Sequence, residues 1–286
     1  HLAGIPENVF QCVVGDGVLG QALLELDFDG YYFTGSYNTG RHIATEIARK
    51  LVPLQLELGG KDPLFVADDV KDVKQAAINA AEGAFYNNGQ SCCAVERIYV
   101  AEKIYDDFVA AFTSEVNSYI IGDPEKKETF IGPLTREQQI SVLNDQVADA
   151  VQKGAILKTG GSRMEGNGNY YLPTVLVNCD HNMKVMHDES FGPIIGIQKV
   201  TSDAEAIGLM HDTEYGLTAS VFSSSESRAM DILNKMDTGT VYWNCCDRVS
   251  PNVPWSGRKN SGLGSTLSSQ GIRAFVQPKS YHLRPI

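Results

Sequence analysis

The chain has 286 residues, 43% hydrophobic and 21% charged, as expected of a globular protein with one large or two modest cores. A net charge of −11 argues against nucleic acid or an anionic membrane as the main partner, and no apolar run reaches membrane-spanning length. No basic-then-apolar leader is found, so neither a span nor a signal peptide is expected. The start at His1, without a Met and close to the apolar run "NVFQCVVG", suggests a fragment, a processed chain or a partly represented one.

The first expected strand, 9–14, runs into Gly15-Asp16-Gly17-Val18-Leu19-Gly20 and a helical pattern over 18–26. This G-x-G-x-x-G can be read as a dinucleotide fingerprint or as a tight strand-to-helix turn that needs glycine. The next strand, 30–34, closes on Thr34-Gly35-Ser36 without the acid the fingerprint requires, which favours the turn. Residues Phe33 to Gly40, "FTGSYNTG", lead into a helix over 37–50. They offer hydroxyls and backbone N–H groups either to an anion or to a well-capped helix start.

A strand over 54–58 carries Glu57 into Gly59-Gly60. In that apolar setting the carboxylate pKa is expected to rise toward the range of a general base; the alternative is a pair with Lys61. After a strand at 63–67, residues 70–86 place Val70, Val73, Ala77, Ala80, Ala81 and Ala84 on one helical stripe, with Asp68 or Asp69 as the cap. That helix delivers the chain to Asn87-Asn88-Gly89-Gln90-Ser91-Cys92-Cys93. A cysteine on a glycine turn can present a nucleophilic thiolate, whereas burial as a small hydrophobe is the commoner fate and suits Cys93 better.

Further strands are expected at 96–100, 172–177, 194–199, 218–222 and 239–243, and helices at 101–118, 135–152, 202–211 and 225–236. A glycine-rich loop lies at 160–169 and an irregular stretch at 244–266. Strand–helix alternation on this scale implies an α/β fold with parallel sheet. Six cysteines, two pairs of them adjacent in sequence, match neither a zinc spacing nor ordinary disulfide geometry. They read as reduced thiols of a cytosolic-type, cytoplasmic compartment, with no metal site expected.

Taken in order, these segments resemble the NAD(P)-dependent aldehyde dehydrogenase superfamily. "FTGSYNTG" looks like its cofactor turn, with Tyr37 in place of a threonine. "LELGGKDP" resembles its active-site glutamate signature and "FYNNGQSCCA" its active-site cysteine signature. Glu189-Ser190-Phe191-Gly192-Pro193, "YGLTASVF" at 215–222 and "PWSGRKNSGLG" at 254–264 are similar to later family landmarks, Trp255 and Ser256 replacing the commoner Phe and Gly.

The resemblance implies a Rossmann-like cofactor domain ending with residues 1–58, a catalytic domain over 59–265, and a C-terminal helix and oligomerisation strand over 266–286 of a homodimer or homotetramer. It implies that Cys92 attacks an aldehyde and that Glu57 activates the water that hydrolyses the thioester. Thr34, Gly35, Ser36, Leu58, Gly59, Glu189 and Phe191 would bind NAD or NADP, and Tyr86, Cys245, Cys246, Asp247, Val249 and Trp255 would line the aldehyde entrance. Glu57 argues against the CoA-acylating branch. The family's oxyanion asparagine, in a P-W-N-x-P segment, and its adenosine-ribose segment do not occur here, so this chain alone is expected to turn over little. The competing readings are a non-catalytic fragment or family member that acts by binding, and a cofactor-free cysteine esterase.

Overall fold

The computed structural model describes residues 4–166, 168–246 and 248–285. In chain order it begins with α1 (Gly17–Glu25), β1 (Tyr31–Thr34), α2 (Tyr37–Ile47) and β2 (Leu54–Glu57). There follow β3 (Asp62–Val66), α3 (Val73–Phe85), β4 (Val95–Ala101), α4 (Tyr105–Asn117), α5 (Gln138–Gln152), β5 (Ile156–Thr159) and β6 (Thr174–Val177). Next are α6 (Lys184–His187), β7 (Ile194–Val200), α7 (Asp203–His211), β8 (Tyr215–Gly216), β9 (Thr218–Phe222), α8 (Glu226–Leu233) and β10 (Thr240–Trp243). The short strands β11 (Arg258–Lys259) and β12 (Gly262–Leu263) and the helix α9 (Ser268–Arg273) close the series.

Seven strands form the main sheet in the order β10-β9-β3-β4-β7-β6-β5, parallel throughout except for the edge strand β5. Its central strands are mostly apolar, since helices cover both faces, with Glu96 and Arg97 of β4 as buried exceptions. Along β3, Leu64 and Val66 point toward α3 and α4 with Ala77, Ala80, Phe108 and Phe112, whereas Phe65 joins Leu143, Val147 and Ile232 from α5 and α8 on the other face. A second sheet, β1-β2-β12, pairs β2 in parallel with β1 and antiparallel with β12. Through it, Glu57 lies opposite Thr34 on one side and Gly262 on the other.

Three local expectations need correction. Residues 9–14 form no strand: Val9, Phe10, Val13 and Val14 are exposed, and an apolar run becomes a strand only with a neighbour to hydrogen-bond. The glycine turn therefore does not follow a strand; it opens α1, whose N-cap Asp16 accepts from the Val18 amide at 2.9 Å. The third concerns the cap of α3, which is Asp72, accepting from the Gln75 amide at 3.0 Å. Asp68 instead binds Lys103 and Arg228, whose hydrogen bonds hold its carboxyl down at about 2. β5 was not expected, because its exposed edge position leaves no alternating pattern to read.

Arg97 in β4 is fully buried and donates to the carbonyls of Lys61, Leu209, Met210 and Asp212, closing the C-terminal end of α7. Arg97→Met should leave these acceptors without donors and destabilise the fold by on the order of 3 kcal/mol. The check is a lowered urea midpoint with an unchanged slope.

Candidate active site

Gly59 and Gly60, at the end of β2, are wedged between two other segments. A Cβ on Gly59 would lie 2.2 Å from the Glu189 Oε1, and a Cβ on Gly60 would lie 2.7 Å from the Cys92 carbonyl oxygen. The glycine signature is thus a requirement for close approach: it lets the glutamate strand, the cysteine turn and the Glu189 loop meet. The Gly60 amide donates to Glu189 Oε1 at 3.2 Å.

Glu57 is half-buried and does not pair with Lys61; its Oε1 accepts the hydroxyl of Thr266. Thr266 in turn exchanges both backbone hydrogen bonds with Trp255, each at 2.8 Å. Trp255 packs with Cys93 and Leu217, and the half-buried Cys92 and Leu267 lie against that same cluster. The glutamate and the cysteine therefore converge on one Trp255–Thr266 ladder.

The turn that carries Cys92 has an unusual backbone. Asn87, Asn88 and Gly89 all have positive φ, at 49°, 60° and 66°, the left-handed region that Asn and Gly tolerate best. The buried Asn88 amide accepts from the Gly132 N–H at 2.8 Å and donates to the Pro133 carbonyl at 3.0 Å. Gln90 Oε1 accepts from the Thr135 amide at 2.9 Å. These bonds explain the "NNGQ" that precedes the cysteine: its side chains anchor the turn to residues 132–135.

Burial raises the Glu189 carboxyl to about 7, reinforced by the charge of Glu96 and opposed by the Gly60 amide and Lys61. Glu96, itself buried, accepts from Lys61 Nζ, from the Ser190 amide and from the Phe191 amide, each at 2.8 Å. Lys61, fully buried, has its pKa lowered by desolvation against the pull of Glu96. Below Cys92, Asp62 accepts from the Thr218 amide and hydroxyl at 3.1 and 2.6 Å, and burial pushes its carboxyl well above the usual range.

Thr34, Gly35 and Ser36 are exposed at the start of α2. Ser36 caps that helix through the Thr39 amide at 3.4 Å, and the Gly35 amide donates to the Glu57 carbonyl at 3.0 Å, tying the turn to the glutamate strand. Leu58 is buried and its amide donates to the Ser261 carbonyl at 3.0 Å. Tyr86 and Cys246 meet in one cavity of about 160 Å³ with Asn79, Glu82, Gly83 and Arg248. Cys246 itself is buried in the core, its Sγ covering Gly83. Cys245 is half-buried, Val249 is exposed, and neither lines that cavity; Trp255 lies in the cluster beside Cys92, and Asp247 lies outside the described residues.

Sequence reading missed Thr266, Glu96, Asn88 and Asp62 as parts of the site. The one available signal was Glu96-Arg97, two charges within an otherwise apolar strand, a pattern that implies buried partners.

The sequence model of the aldehyde dehydrogenase family matches residues 1–281, and the chain belongs to that family. An aldehyde dehydrogenase from Emericella nidulans is 37% identical over 99% of this chain and 57% of its own length. A succinate-semialdehyde dehydrogenase [NADP(+)] from Deinococcus radiodurans is 36% identical over 98% of the chain and 58% of its own. Among solved structures, the NAD-dependent aldehyde dehydrogenase from Sinorhizobium meliloti superposes with a TM-score of 0.95 at 33% identity, over 100% of this chain and 58% of that one. The chain thus spans less than two thirds of the length of these relatives. The fold is that of the aldehyde dehydrogenases, and no helix among the described residues is long and apolar enough to cross a membrane.

The raised Glu189 carboxyl has a consequence for stability. The unfolded chain releases this proton near 4.5 and the folded one near 7, so stability falls as pH rises through that window. Glu189→Gln should remove the fall. Relative to the parent, the variant should gain on the order of 2 kcal/mol between pH 4.5 and pH 8, read by urea denaturation at both ends. Gly89→Ala should lower the melting temperature and Cys92 reactivity together, because a Cβ there would lie 2.4 Å from the Gly192 carbonyl at a positive φ.

Proposed function

We propose that the protein oxidises an aldehyde to the carboxylic acid with NAD or NADP, using Cys92 as nucleophile and Glu57 as general base. The observation that carries this reading is the convergence of Glu57 and Cys92 on the Gly59–Gly60 turn and the Trp255–Thr266 ladder. The Cys92 thiolate adds to the aldehyde carbonyl, forming a C–S bond and an oxyanion. A bound nicotinamide would supply the acceptor for the hydride that leaves this carbon, and Cys92 would then carry the thioester. Glu57 removes a proton from water, the hydroxide adds to the thioester carbonyl, and the C–S bond breaks to release the acid and restore the thiolate.

The residues present suit such a cofactor. The hydroxyl-bearing Thr34–Ser36 turn opens an 11-residue helix, a favourable place for a pyrophosphate. Glu189, packed against Gly59, offers a carboxylate to ribose hydroxyls, Leu58 offers its backbone, and the exposed Phe191 ring offers an apolar face to a flat heteroaromatic ring. Tyr86, Cys245, Cys246, Asp247, Val249 and Trp255 form the aldehyde entrance in this reading. Residues 1–58 end the cofactor domain, 59–265 form the catalytic domain, and 266–286 carry the element that joins subunits of a homodimer or homotetramer. The compartment is reducing and cytosolic, in keeping with a catalytic thiol.

Alkylation by iodoacetamide, mapped by mass spectrometry with and without NAD, tests the nucleophile: Cys92 should react ahead of the other thiols, and uniform labelling of all six would sink the proposal. In the full-length protein, Glu57→Gln should lower kcat about 100-fold or more and accumulate an acyl adduct on Cys92 visible by intact mass. The 286-residue polypeptide by itself is expected to bind cofactor weakly and turn over little. Efficient oxidation by that polypeptide would contradict this last expectation.

A further inference from the structure

Glu96 stands four residues beyond Cys92, at the start of β4, and is buried. One oxygen accepts from Lys61 Nζ and from the Ser190 amide, the other from the Phe191 amide, all three at 2.8 Å. Phe191 has φ of 45°, a left-handed conformation that a bulky residue adopts only under restraint. Ser190, fully buried, is gripped a second time: its hydroxyl takes a bond from Lys61 Nζ at 2.9 Å and donates to Gln146 Oε1 at 2.7 Å. Lys61 follows directly on the Gly59–Gly60 turn.

We propose that Glu96 is a positioning residue, which locks the Ser190–Phe191 backbone and thereby aims the Glu189 carboxylate and the Phe191 ring across the Gly59–Gly60 turn toward the cofactor. The assignment rests on the functional reading above, because the cofactor gives this aim its purpose. The geometry supports the role independently of overall stability. Two successive backbone amides are received by the two oxygens of one carboxylate, a bidentate grip that fixes direction as well as distance. Lys61 Nζ, 2.8 Å away, pairs with the same carboxylate. Both ends of the ion pair sit on segments that carry site residues, so the pair holds the glutamate strand, the cysteine strand and the Glu189 loop in one register.

The test compares Glu96→Gln and the double variant Lys61→Met/Glu96→Gln with the parent in the full-length protein. A glutamine can accept one of the two loop amides and must turn its NH₂ toward the other. The KM for NAD or NADP should rise about tenfold or more while kcat changes much less, with the melting temperature of the double variant near that of the parent. Hydrogen exchange of peptides spanning 188–193 should quicken selectively, with the rest of β4 and β7 still protected. An unchanged cofactor KM together with unchanged exchange at 188–193 overturns the proposal. Should Glu96→Gln unfold because Lys61 is left unpaired, the double variant decides. Loss of protection across the whole sheet in both variants reduces Glu96 to a core residue and likewise overturns it. A parent protein that oxidises no aldehyde with either cofactor defeats the functional reading; the exchange at 188–193 then still decides whether Glu96 orders the loop.

Discussion

The meeting of the glutamate strand, the cysteine turn and the Glu189 loop depends on the absence of two carbon atoms. At residues 59 and 60 the backbone passes so close to Glu189 and to the Cys92 carbonyl that a methyl group would overlap either one. The two contacts differ in kind. The obstacle at Gly59 is the far end of a flexible side chain, which can swing aside, whereas at Gly60 it is a backbone oxygen in a turn held by Asn88 and Gln90. Gly59 therefore governs where Glu189 can lie, and Gly60 governs whether the cysteine turn and the glutamate strand can meet at all.

The charged groups around this turn follow a consistent division. Glu57, Cys92 and Glu189 are only half-buried, open enough to meet a substrate or a cofactor. Lys61, Asp62, Glu96 and Arg97 are nearly or wholly buried and are satisfied by specific partners. Buried ions of this sort add little net stability compared with apolar residues of the same shape, since desolvation offsets most of the attraction. What they provide is direction. Hydrogen-bonded charges fix orientations that apolar packing would leave degenerate, and here they do so on the segments that carry Glu57, Cys92 and Glu189.

Much of the fold was legible in the sequence because α/β layers announce themselves locally. The buried runs of β3, β7 and β9 and the alanine stripe of α3 each carry their period within a few residues. The failures occurred where the deciding partner is distant or missing. Residues 9–14 have strand composition and nothing among the described residues to pair with, and β5 has a pairing partner without a strand-like pattern. Glu57 and Cys92 were visible because their signatures are contiguous. Their supports were not: Thr266 reaches Glu57 across 209 residues, Thr218 reaches Asp62 across 156, and Ser190 reaches Glu96 across 94.

The same contrast explains why Lys61, the alternative partner for Glu57 in the sequence, pairs elsewhere. Along an extended strand successive side chains alternate sides, but Gly59 and Gly60 intervene and the chain passes from the small sheet into the large one. Glu57 thus belongs to the end of the central strand of the small sheet and faces Thr266, while Lys61 enters the interior beside the large sheet, where Glu96 and the Ser190 hydroxyl are its acceptors. Four residues of sequence separation become two different environments. Among the described residues, the Glu57 carboxylate takes its side-chain hydrogen bond from the neutral Thr266 hydroxyl and not from a lysine. The glycine turn thus sends the nearest cation in sequence to Glu96 and leaves Glu57 to Thr266.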